Sequence, residues 1–210
     1  MFKKRILLAV TLMLSVALPS LAQSADRDAV VAKVIECGSG IESIRCDFVQ
    51  TKRSSMLENE LVSRGKMWFS KPQLLRWEYT SPYSNLFIMN GDKALLKNEK
   101  GTTLTDVKKN RMVKGISSMV LGCISGDWLT DARTFGVEVV EKDGEWLVRL
   151  TPKRGELKQM WTSLELRFDP ATGTSKGIKM NEASGDCTII EFRGVEMNGT
   201  IPPDVFSLNK

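Results

Sequence analysis

Apolar residues set two periods along this chain. Val30, Val31, Val34 and Ile35 recur at helical spacing, which predicts one amphipathic helix of roughly three to four turns, starting near Ala25, capped by Ser24 and ended by Gly38 or Gly40. Beyond it the period falls to two. Over residues 43–51, Ile44, Cys46 and Phe48 alternate with Arg45 and Asp47. Residues 65–70 read as a strand rich in large side chains, with Met67 and Phe69 on one face and Trp68 on the other. Lys71-Pro72 interrupts it, because proline offers no N–H to a ladder. Over residues 74–80, Leu75, Trp77 and Tyr79 point one way and Arg76 and Glu78 the other. Asn90-Gly91, between residues 84–89 and 93–97, is a type I′ hairpin signal.

The alternation stops at residues 111–124. Val113, Ile116, Val120 and Ile124 fit a helical repeat there, with Met119 and Leu121 close by, although Gly115 and Gly122 weaken it. Strands return at residues 136–141, 145–151, 160–168, 174–181 and 186–193, and a last short strand is expected at 205–208. No linker, low-complexity tract or fixed repeat divides the chain, so residues 23–210 are expected to form a single domain. Roughly nine to eleven strands joined mostly by tight turns imply one antiparallel sheet, which must curl to bury a face. Two helical segments cannot cover both faces, but they can plug the concave side. The expected fold is mainly β with helices: a single curled antiparallel sheet whose concave side the helical segments plug.

The amino terminus stands apart. Lys3, Lys4 and Arg5 precede an uncharged run over residues 6–18, and Ser20-Leu21-Ala22 supplies small residues for cleavage after Ala22. Residues 1–22 are therefore expected to be a cleaved signal peptide that exports the protein. The first cysteine is Cys37, so no lipid anchor is expected at the new terminus. Export also changes the charge. The whole chain carries 30 basic and 25 acidic residues, a net of +5. Removing the three basic residues of the signal leaves 27 against 25, or +2. That balance gives no support for nucleic acid as a partner.

The chain contains no histidine, which removes Ser-His-Asp and Cys-His catalytic sets and the commonest zinc ligands. No nucleotide-binding or hydrolase motif is present, and the carboxylates are scattered singly on outward-facing strand positions. No catalytic residue, metal site or cofactor is expected, and the protein reads as a non-enzyme. Cys37, Cys46, Cys123 and Cys187 form no CxxC. In an oxidising compartment one or two disulfides and buried free thiols both remain open. Eight methionines and five tryptophans lie beyond residue 22; methionine suits surfaces that accept variable apolar ligands, and it also fills cores.

Several of these residues fall into a pattern. Phe48-Val49-Gln50 follows the first helix. Gly65-x-Met67-Trp68-Phe69-x-Lys71-Pro72-x-Leu74-Leu75-Arg76-Trp77 comes next, then Pro82 and Asn90-Gly91-x-Lys93. The tail carries Phe192-x-x-Val195-x-x-Asn198-x-x-Ile201 and Phe206. Over nearly the whole exported part this resembles the LolA family of periplasmic lipoprotein carriers, and the block from Gly65 to Trp77 is its specific part. The resemblance implies an unclosed β-barrel with a helical lid. It implies a carrier that takes acylated lipoproteins from an inner-membrane ABC-type release complex and passes them to an outer-membrane acceptor. It points to Phe48, Met67, Phe69, Leu75, Trp77, Met89, Met119 and Val120 as the lipid-binding cavity. Where the family often has an arginine that latches the lid, this chain has Lys71, which keeps the charge and loses the planar fork. A carrier of free lipid or glycolipid-type amphiphiles, and a periplasmic sensor or partner-binding domain, are the alternatives on the same fold. A monomer is expected, since no dimerisation segment is evident.

Overall fold

The computed structural model describes residues 26–56 and 58–209, so the expected signal peptide and Ser24 lie outside the described residues. Helix α1 (Arg27–Ser39) is capped by Asp26, whose carboxylate accepts from the backbone N–H of Asp28 at 3.1 Å and of Ala29 at 3.5 Å. Its buried face is Val30, Val31 and Val34, the predicted stripe, and Gly40 ends it.

Eleven strands follow: β1 (Ser43–Arg53), β2 (Leu61–Ser70), β3 (Leu74–Ser81), β4 (Asn85–Asn90), β5 (Lys93–Asn98), β6 (Gly101–Asp106), β7 (Phe135–Lys142), β8 (Glu145–Pro152), β9 (Trp161–Phe168), β10 (Ser175–Glu182) and β11 (Cys187–Met197). They form one sheet in the order β6-β5-β4-β3-β2-β1-β11-β10-β9-β8-β7, every pair antiparallel. The chain steps outward from β1 to one edge and re-enters at the other edge. It then steps back until β11 pairs with β1. Between the two free edges, β6 and β7, runs helix α2 (Arg111–Ser125). The sheet is thus not closed by hydrogen bonds, and its concave side is covered by helices instead. Helix α2 forms despite Gly115 and Gly122 because packing rather than propensity carries it: Val113 and Val120 are buried.

Strand parity assigns the faces. Met67, Phe69, Leu75, Trp77, Met89 and Phe48 are all buried in one continuous inner core. Phe48 pairs with Gly65 across β1 and β2. A Cβ on Gly65 would fall within 2.7 Å of the Phe48 Cε1 atom, so only glycine lets that ring lie flat against the sheet. Phe48 then stacks on Trp77 at 4.3 Å and meets Tyr79 edge-on at 5.2 Å.

The outer face holds a smaller apolar cluster. Ile88, Leu95 and Phe206 are buried there, with Trp68 and Leu74 alongside. The strand expected at residues 205–208 does not form. Residues Pro203–Phe206 make a 3-10 turn that drops Phe206 onto β4 and β5, and burial of that ring outweighs any ladder pairing. Arg76 supports this tail: its guanidinium pairs with Glu78 at 2.8 Å, donates to the Val205 carbonyl at 3.4 Å and lies 5.6 Å from the Trp68 ring centre.

Candidate functional site

Beneath the helices the inner core does not close. An apolar cavity lies between α1, α2 and the middle of the sheet. Helix α1 contributes Val34 and Cys37, and α2 contributes Met119, Val120, Cys123 and Ile124. Strands β1 to β3 add Ile44, Cys46, Met67 and Trp77; β9 to β11 add Leu166, Phe168, Ile178, Ile190 and Phe192. No charged side chain lines it, and Thr174 and Ser175 are its hydroxyl groups. The cavity measures about 60 Å³. At roughly 10–15 Å³ per water, the cavity has space for a few small groups and not for a long chain.

Of the eight residues expected to line the cavity, Met67, Trp77, Met119 and Val120 do so. Phe48, Phe69, Leu75 and Met89 share the same inner core but pack side chain to side chain away from the void. The difference follows from cover. Strands β3 and β4 carry large residues that meet one another, whereas the region under α1 and α2 is roofed by the helices. Sequence reading missed the walls from α1, β9, β10 and β11. Strands were expected over residues 160–168, 174–181 and 186–193, where Leu166, Phe168, Ile178, Ile190 and Phe192 lie, but nothing joined them to Met67 and Trp77. The pairing of β1 with β11 does.

Three thiols belong to this site. Cys37, Cys46 and Cys123 line the cavity, Cys187 does not, and all four are free. Burial pushes the Cys46 thiol up to about 12, helped by neighbouring Asp47. Burial alone pushes Cys123 up to about 12. Cys37 is raised as well, by burial, with Lys33 opposing and Glu36 assisting. Each therefore behaves as a small neutral apolar group in the cavity wall. Among the described residues no set of His, Cys, Asp or Glu side chains could hold a metal ion.

Lys71 reaches from the β2–β3 turn to the end of α1. Its ammonium donates to the Ser39 carbonyl at 2.8 Å, at the last residue of α1, and pairs with Glu42 at 3.1 Å. A cation on a helix C-terminus meets the negative end of the dipole. What Lys71 holds is the end of α1. Asn198 fixes the same junction from β11: its side chain accepts from the Glu42 N–H at 2.8 Å and donates to the Gly40 carbonyl at 2.9 Å.

An eleven-stranded unclosed barrel with helices over an apolar, uncharged cavity defines a class: a protein built to shelter apolar matter from water. The sequence comparison narrows the class. Residues 39–209 match the family model described as outer membrane lipoprotein carrier protein LolA, and the chain belongs to that family. It is 27% identical over 200 residues to the outer-membrane lipoprotein carrier protein of Chromohalobacter salexigens, covering 95% of this chain and 90% of the relative. The protein of the same name from Nitrosospira multiformis is 25% identical over 168 residues, covering 80% and 78%. Among solved structures, a MucA/MucB complex from Pseudomonas aeruginosa matches with a TM-score of 0.55 at 13% identity, over 87% of this chain and 61% of the compared one. An uncharacterised conserved protein from Thermus thermophilus matches at 0.51 with 9% identity, over 87% and 93%. These two similarities concern the fold alone. No helix among the described residues is long and apolar enough to cross a membrane.

Proposed function

We propose that this protein is a periplasmic carrier that receives the acyl chains of lipoproteins released from the inner membrane and delivers them to the outer membrane. The observation that carries the reading is an uncharged cavity, walled by aliphatic, aromatic and neutral thiol side chains, in a chain of the lipoprotein-carrier family. In this reading residues 1–22 are the export signal, removed before the carrier works. The donor is an ABC-type release complex and the recipient an outer-membrane acceptor.

The physical demands fit a passive carrier. Burying an acyl chain is worth about 0.8 kcal/mol per methylene, so one long chain contributes on the order of 10 kcal/mol. Release into water is then very slow, and hand-over proceeds from mouth to mouth into a partner that binds the chain better. The closed cavity of about 60 Å³ cannot take such a chain without movement of its roof. Helices α1 and α2 are the parts that can move, since the strands beneath them are hydrogen-bonded into the sheet.

Native mass spectrometry of protein purified from its own periplasm without detergent tests the reading. An adduct carrying an acylated polypeptide is the expected result. A lipid-sized adduct without protein would assign the cargo to free amphiphiles. A protein that neither carries nor takes up any acylated molecule would refute the carrier function.

A further inference from the structure

A second pocket adjoins the apolar cavity, and the two share wall residues. It is a solvent-open depression of about 260 Å³ between the outer side of α1, the turn joining β9 to β10, and the end of β11. Cys37, Ile41 and Met197 line both spaces. The remaining wall of the second pocket is Lys33, Glu36, Gly40, Thr172 and Asn198, which is polar. Apolar matter on one side and hydrogen-bonding groups on the other therefore meet at one ring of three residues.

Exposure marks the same place. Val195 and Met197 line the apolar cavity and are nevertheless 38% and 41% exposed. Both stand at the end of β11, so the apolar wall runs out to solvent there. Helix α1 presses on the β9–β10 turn so closely that a Cβ on Gly173 would stand 3.1 Å from the Lys33 carbonyl and 3.2 Å from the Cys37 Cβ. On the far side the frame is pinned, because Asn198 spends its amide on the α1–β1 loop and donates and accepts there rather than into the pocket.

We propose that the cavity opens beside α1, and that this vestibule seats the uncharged, hydrogen-bonding head of an amphiphile whose chain threads past Cys37, Ile41 and Met197. The assignment rests on the carrier reading and adds to it a mouth and a headgroup class. The charge of the vestibule selects the head. Lys33 and Glu36 pair at 3.5 Å, so the vestibule carries no net charge and a singly charged head would have to break that pair to bind either of them. A glycerol ester or an acylated peptide amide meets donors and acceptors on both and carries no charge to oppose either. The Thr172 hydroxyl, 2.7 Å from that of Thr174, adds a further polar contact at the rim.

The test compares chemical labelling of the unmutated protein with and without two probes, 1-monopalmitoylglycerol and an N-palmitoylated short peptide, with loading verified by native mass spectrometry. Lys33 lines the vestibule only, and Cys37 lines the ring between the two spaces. Cys187 and Lys97 line neither and serve as controls. Bound probe is expected to slow both acetylation of Lys33 and alkylation of Cys37 at least about fivefold, leaving Cys187 and Lys97 unchanged. Protection by one probe alone would identify the source of the head as lipid or acylated protein. A loaded protein in which Cys37 is shielded and Lys33 is not would overturn the proposed mouth while leaving the carrier intact. Loading that shields neither would do the same. Failure of both probes to load would overturn the mouth and the carrier together.

Discussion

Phe48 and Met119 both belong to the inner side of the same barrel, yet they do opposite work. Phe48 is 1% exposed and wedged between Gly65, Trp77 and Tyr79. Met119 is half-buried on α2 and borders empty space. The chain holds one region of its interior filled and keeps another hollow, and both are equally apolar in sequence. The filled region is strand on strand, where cross-strand partners such as Leu75 and Met89 meet directly. The hollow region is helix over strand, and its roof packs on the core through the valines of α1 and α2 and is tied by side-chain hydrogen bonds at the C-terminal end of α1, through Lys71 and Asn198.

The largest effect should come from emptying the filled region. Phe48→Ala removes a ring that nothing adjacent can replace, and a loss of about 3–5 kcal/mol is expected in urea unfolding. Met119→Ala should cost under about 1 kcal/mol, because part of its surface already lacks neighbours. Equal costs for the two would mean that the hollow region is packed in solution and that the contrast is false.

The sequence revealed the faces well and the hollow poorly, for identifiable reasons. Alternation placed Met67, Phe69, Leu75 and Trp77 on one side of the sheet, and the structure puts all four inside. Parity says which way a side chain points, however, and not whether another atom waits there. That depends on where α1 and α2 rest, and on the β1–β11 pairing between residues far apart in the chain. Two elements escaped for a different reason. Strand β6 is an edge strand with Leu104 60% exposed, so it has no buried face to leave a pattern. Helix α3 (Gly155–Met160) is too short to show a period. The tail was misread as a strand because Val205 and Phe206 suit one; their burial against Ile88 and Leu95 on the outer face is a tertiary event.

A charge placed in the hollow should separate stability from binding. Met119→Glu can turn its carboxylate toward water when the cavity is empty, so the unfolding midpoint should move little. With an acyl chain present the carboxylate must be desolvated, and affinity for a fluorescent fatty-acid probe should fall about a hundredfold, roughly 2.7 kcal/mol. Undiminished binding would place the acyl chain elsewhere than under α2.

The thiols of the cavity wall make a smaller, pH-dependent contribution. Cys46 and Cys123 titrate from an ordinary value of 9.0 in the unfolded chain to about 12 in the fold. Their neutral form is the one the native state favours, so their contribution is fully present below pH 9. Between pH 9 and 12 the unfolded chain has released protons that the fold retains, and stability falls as pH rises. The slope is about 1 kcal/mol per pH unit for each thiol. Urea midpoints at pH 8 and pH 10 should show the decline, and Cys46→Ala should make it shallower. An unchanged slope in that variant would mean that water reaches Cys46.

The tie at the end of α1 should matter least for stability and most for motion. Lys71 and Glu42 are 37% and 70% exposed at the side chain, so their pairing is screened. Lys71→Met removes that pair and the bond to the Ser39 carbonyl together, and under about 1 kcal/mol of global stability should be lost. Locally the consequence is larger. Without the tie, α1 keeps Asn198 at its C-terminal junction and its own valines below, so its last turn should open more often. Amide exchange over residues 36–40 should quicken severalfold in the variant while the filled strands β2 and β3 exchange as before. Lys71→Arg restores a donor to Ser39 with a second arm for Glu42 and should slow that exchange below the unmutated rate. If neither variant alters exchange at the end of α1, Asn198 alone holds the roof, and the lysine is a surface residue like its neighbours.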